Sequence, residues 1–84
     1  MTKEVRAQID EYIKLCDLVD DFAKHMKAKL AYTTFKKERY GWDACEYTIQ
    51  VAKCDLQKHL DKGDMLDVAN IAMFIWFKSV IRNK

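Results

Sequence analysis

The sequence predicts an all-α fold, a three-helix chain with one long N-terminal helix and two shorter ones. Three observations predict it. The 84 residues include no proline and only two glycines, where an ordinary domain carries about 5% and about 7%. The turns of a many-stranded β fold therefore have no material. Apolar residues recur in alternating steps of four and three along the first third of the chain. Both glycines fall where helical patterns break off. The length bounds the chain to one all-α domain, residues 1–84. A composition half hydrophobic and one third charged excludes disorder.

Thr2 is placed to cap a first helix over residues 3–31, with Glu4 in the first turn where the helix dipole favours an acid. Val5, Ile9, Tyr12, Cys16, Val19, Ala23, Met26 and Leu30 form a heptad seam over almost four repeats. Leu15, Leu18 and Phe22 add a second strip. Two strips read either as one wide core face or as a helix that also meets another chain.

A loop is expected over residues 32–42. Asp43, followed three residues later by Glu46, resembles a capping box, so the second helix is expected over residues 44–62. Cys45, Ile49, Ala52, Leu56 and Leu60 share its apolar face, and Gly63 fits the left-handed position that ends it. Asp64 then caps a third helix over residues 65–81, with Asp67 in its first turn. Its apolar residues run nearly all the way round, from Val68 through Ile81. A helix of that kind is buried on all sides. Two other helices of so short a chain cannot surround it, so a homo-oligomer packed through the first and third helices is expected.

The net charge of +2 is too balanced for a nucleic-acid binder that works by charge alone. Three cysteines without a CxxC pair, and histidines without zinc spacing, read as reduced thiols. With no signal-like stretch at the N-terminus, this predicts a cytoplasmic location. The most apolar run, residues 68–77, is half the roughly 20 residues that span a bilayer, so no membrane is expected.

The loop is the most basic segment. Lys36, Lys37 and Arg39 stand against Glu38, interleaved with Tyr32, Phe35, Tyr40 and Trp42. Cations hold phosphates and aromatic faces stack on bases, which is what a nucleotide site requires. The plainer reading tucks the aromatics into the core and leaves the cations solvated. Trp42 has the same two readings, packing anchor or stacking platform. His59 and Lys62 lie near a helix C-terminus, where the dipole alone would satisfy them. Asn70, the one polar residue within the apolar stretch, either sets the register of a helix pair across a symmetry axis or reads a ligand.

Three pieces carry a resemblance: Phe22-Ala23-x-x-Met26-x-x-Lys29-Leu30, Gly41-Trp42-Asp43, and Leu56-x-x-His59-x-x-Lys62-Gly63-Asp64-x-x-Asp67-Val68-Ala69-Asn70. Together they resemble small phage and prophage proteins described as MazG-like, or likened to dATP/dGTP diphosphohydrolases, over residues 22–77. The resemblance implies an oligomeric all-α nucleotide-handling fold in a host cytoplasm. In the catalytic members it implies Mg²⁺ held by two carboxylate motifs. Asp64-x-x-Asp67 fits the second motif with aspartate for glutamate. The first is missing, since the matching helix offers Asp55 alone, with Asp61 further on.

The reading is therefore a non-catalytic nucleotide-binding protein that captures a nucleotide, such as a host signal, and removes it from use. Lys36, Lys37, Arg39, Tyr40, Trp42, His59, Asp64 and Asp67 are the expected ligand-binding residues. No cofactor is required, although Mg²⁺ on Asp64 and Asp67 stays open. One alternative is a minimal Mg²⁺-dependent (d)NTP pyrophosphohydrolase. Another is a helical interaction module whose Leu15, Leu18 and Phe22 dock on a host protein. Phosphate is expected on the loop cations, with the acids facing ribose hydroxyls and the loop of one chain approaching the Gly63 turn of another.

Overall fold

Thr2 starts the first helix as its side chain predicts: the Oγ1 accepts a hydrogen bond from the Val5 N–H at 3.2 Å, satisfying one of the free donors of the first turn. The computed structural model describes residues 2–82. Helix α1 spans Lys3–Ala31, α2 spans Ile49–Lys62 and α3 spans Met65–Arg82, with no strand among the described residues. The predicted side-chain burial of Ile81 lies outside those described.

The loop begins later than the sequence suggests. Tyr32–Lys36 continues α1 as a turn of π-helix, in which the Lys37 N–H reaches the Tyr32 carbonyl at 3.2 Å. The Lys29 and Lys37 ammonium groups stand 5.8 and 5.6 Å from the centre of the Tyr32 ring, within cation–π range at a solvent-exposed site where such contacts are worth little. Glu38 (φ 54°) and Gly41 (φ 100°) then turn the chain back through left-handed conformations.

The second helix also starts later, and here the expectation is corrected. The Asp43 capping box does not form. The Ala44 N–H bonds back to the Gly41 carbonyl and the Tyr47 N–H to the Ala44 carbonyl, so residues 42–47 are spent on successive turns. Thr48 is the cap instead, its Oγ1 accepting from the Val51 N–H at 3.2 Å. The competing force is tertiary. Trp42 stacks on Phe74 of α3 with ring centres 5.0 Å apart, and meets Phe77 edge-on at 5.3 Å. Such pairs add about 0.5–1.5 kcal/mol beyond their area.

At the far end of α2, Gly63 (φ 77°) donates its N–H to the Leu60 carbonyl and Asp64 donates to the His59 carbonyl, both at 3.0 Å. This paired closure needs a left-handed residue, and it folds α3 straight back along α2.

Helix α3 packs on α2 and on the C-terminal part of α1. Ala52, Ile71 and Asn70 are buried at their meeting point. Helix α3 is less covered than its apolar circumference predicts, since Met65, Met73, Trp76, Phe77 and Val80 remain exposed. From Lys3 to Phe22, α1 has no such neighbour: every residue but Cys16 is exposed. No helix among the described residues is long and apolar enough to cross a membrane.

Candidate functional site

The C-terminal end of α1, the loop after it, the end of α2 and the start of α3 enclose one cleft of about 790 Å³. It collects Lys37, Arg39, Tyr40 and Trp42 from the loop side, and His59, Asp64 and Asp67 from the helix ends. Of the residues predicted from sequence, Lys36 alone stands apart, exposed on the π-helical turn. The loop and the Gly63 turn meet within a single chain, where the sequence suggested that two chains would supply them. The reason is the return of α3 along α2, which brings its first turn beneath the end of α1.

The charged centre of the cleft rests on a residue that sequence reasoning left without a role. Lys29 sends its Nζ to 3.6 Å from Asp67 and 4.0 Å from Asp64. His59 Nδ1 lies 3.4 Å from Asp67 and 3.7 Å from Asp64. The Nδ1 is not aligned for a hydrogen bond with either carboxylate and has no other partner. Among the described residues every ion pair belongs to this cluster. Lys29 lies among the half-buried positions of the α1 seam beside Met26 and Leu30, so a cation facing inward was the available signal.

The two acids share their charge unequally. A hydrogen bond from the Asp67 carboxyl holds Asp64 below the usual carboxylate range, outweighing the burial penalty, with Lys29 and His59 assisting. Burial pushes Asp67 up, and the hydrogen bond and negative charge of Asp64 add to this, partly offset by Lys29 and His59. The pair therefore binds a proton more readily on Asp67 than on Asp64.

Asn70 closes the floor. It is 3% exposed, and its Nδ2 donates to the Met26 carbonyl at 3.3 Å. A carbonyl can only accept, so this bond fixes the amide orientation. The Oδ1 then stays a buried acceptor without a partner, in a residue that lines the cleft. Within the one chain Asn70 ties α3 to α1, and its spare acceptor lines the cleft.

The aromatic residues divide by exposure. Trp42 gives one face to Phe74 and an edge to Phe77, so it acts first as a packing anchor while still bordering the cleft. Tyr40 is 87% exposed and borders the same cleft, leaving its ring open to a planar partner.

The resemblance implies Mg²⁺ at Asp64 and Asp67. His59 and one oxygen from each acid lie within 4.8 Å of one another. Mg²⁺ asks for near-octahedral oxygen coordination and keeps several waters. Here one donor is a nitrogen, only two carboxylates converge, and the Lys29 ammonium already sits against both. Asp55 lines the cleft but accepts from the Tyr47 hydroxyl at 3.3 Å, and Asp61 is turned outward to Gln57 at 2.9 Å. The set does not fit a Mg²⁺ cluster of the pyrophosphohydrolase kind.

Tyr47 has its own signature. Burial first, and then the charge and hydrogen bond of Asp55, push its hydroxyl up to about 12. A raised folded-state value means that the fold favours the protonated phenol. That stability is complete below about pH 10 and is lost as pH rises toward 12. Ultraviolet titration is expected to show one of the four tyrosines ionising after the others, with the late step absent in Tyr47→Phe. Four tyrosines titrating together would contradict this.

No family model, curated protein or solved structure matches the chain.

Proposed function

We infer that the protein binds a nucleotide in this cleft and does not turn it over. One observation carries the reading: loop cations, an open aromatic ring and a mixed acid–base floor, predicted separately from sequence, line one cleft of ligand size. Lys37, Arg39 and Lys62 supply the cationic rim that a phosphate requires. Two acids at the start of α3 repel phosphate, so they suit ribose hydroxyls, with the Lys29 ammonium offsetting part of their charge. Tyr40 offers its face to the base. The non-catalytic form is supported by the donor set, in which the carboxylates a Mg²⁺ cluster requires are engaged elsewhere or paired with lysine. A nucleotide held this way is removed from circulation, in keeping with the phage-type MazG-like resemblance.

Calorimetry of the full chain against mono-, di-, tri- and cyclic nucleotides is expected to give saturable binding for one class. A pyrophosphate-release assay with Mg²⁺ or Mn²⁺ is expected to stay at background. Binding by no member of the panel would overturn the proposal. Metal-dependent turnover lost in Asp67→Ala would replace it with the pyrophosphohydrolase reading.

A further inference from the structure

The apolar seam of α1 is continuous, but its two halves have different fates. Ala23, Met26 and Leu30 are half-buried, in the part of the helix that meets α3 of the same chain. Toward the N-terminus the same stripe runs on through Val19, Ile9 and Val5, with Ile13, Leu15, Leu18 and Phe22 beside it. Each of these is 39–65% exposed. A helix gains little from propensity alone, and most of its stability in a protein comes from packing of its apolar face. Among the described residues, nothing in its own chain covers this one.

The surface area gives the scale of what is uncovered. A folded monomer of 9.9 kDa exposes about 5,200 Å². This chain exposes 7101 Å², an excess of about 1,900 Å². Taken over two chains, the excess falls within the roughly 2,000–5,000 Å² that obligate homodimers bury. Among the described residues, Ala52 and Ile71 are the only buried apolar side chains. A core of that size does not hold a domain of this length, so the covering surface must be present whenever the chain is folded. A second copy meets that condition at any site of synthesis.

The charges select the direction. Lys3 and Arg6 flank the start of the uncovered stretch, and Asp17, Asp20 and Asp21 flank its end. Arg6 and Asp20 are two heptads apart, so they occupy the same edge of the seam. An antiparallel partner sets Arg6 of each chain against Asp20 of the other, with Ile13 midway between them. A parallel partner sets like charges at the same level. A two-fold interface needs a patch complementary to itself, and only the antiparallel arrangement provides one.

We propose that residues 5–22 of α1 form an antiparallel helix-pair interface with a second copy of this chain. The pairing does not depend on what the cleft binds. Sedimentation velocity of the full chain is expected to give a dimer, or a larger even multiple of the chain mass. A folded monomer at every concentration would overturn the proposal and leave the face to a different protein. Ile13→Glu, in the centre of the patch, is expected to raise the dissociation constant, and an unchanged constant would place the interface elsewhere. Arg6 and Asp20 are exposed, so their exchange tests the register without touching the core. Arg6→Asp and Asp20→Arg are each expected to weaken association about tenfold. The double variant is expected to restore it, and failure to restore would refute the antiparallel register.

Discussion

Replacing Asn70 with aspartate is expected to destabilise the fold by about 3 kcal/mol, more than any surface change in this chain. The substitution alters almost no volume, so packing is not the cause. Asn70 is 3% exposed, and its Nδ2 is the donor that satisfies the Met26 carbonyl across the α1–α3 contact. A carboxylate there has no donor to give. It faces the carbonyl oxygen of Met26 and lies one helical turn from Asp67, whose own acid is already pushed up by burial and by Asp64. Two outcomes are coupled: a lower denaturation midpoint at neutral pH, and partial recovery in acid as the new carboxyl takes up a proton. Urea unfolding at pH 7 and pH 4.5 measures both. An Asn70→Asp protein as stable as the parent at pH 7 would show that the Met26 bond does not tie the helices.

Reversing the two loop cations together, Lys37→Glu with Arg39→Glu, is expected to lower nucleotide affinity about a hundredfold, about 2.7 kcal/mol. Both side chains are exposed and border the cleft, and neither makes an ion pair among the described residues. Their loss therefore has little reach into stability, and the melting temperature is expected to stay within a few degrees of the parent. Lys36→Glu is the internal control. It was grouped with them by sequence, yet it stands outside the cleft, so its reversal should change affinity far less. Equal losses from all three reversals would mean that overall charge, not the cleft, governs binding. No loss from the double reversal would move the phosphate off the loop.

Lys36 and Lys37 differ only in the folded chain. Their chemistry and neighbourhood in the chain are the same. What separates them is the π-helical turn, in which the Lys37 N–H bonds to Tyr32 and the next residues enter left-handed conformations. A widened turn changes the direction in which successive side chains leave the helix, and no pattern of residue types announces it.

What the sequence by itself determined is local. The Thr2 cap, the length of α1, the left-handed closure at Gly63 and the helical character of residues 65–81 each depend on a few neighbours, and each stands as the residues specify. The start of α2 was not local. Asp43 and Glu46 satisfy a capping rule that any isolated peptide would recognise, but Trp42 finds Phe74 and Phe77 on α3, and the chain spends the following residues on turns. The charged cluster was further out of reach, because Lys29 and Asp67 are brought together only when α3 returns along α2 under the end of α1. The heptad seam lies between these cases. Its spacing established that α1 has an apolar face, while only the packed structure decided that the face is covered from Ala23 onward and open before it. Hydrogen bonds and caps act over one turn of chain, and burial depends on which distant surfaces arrive.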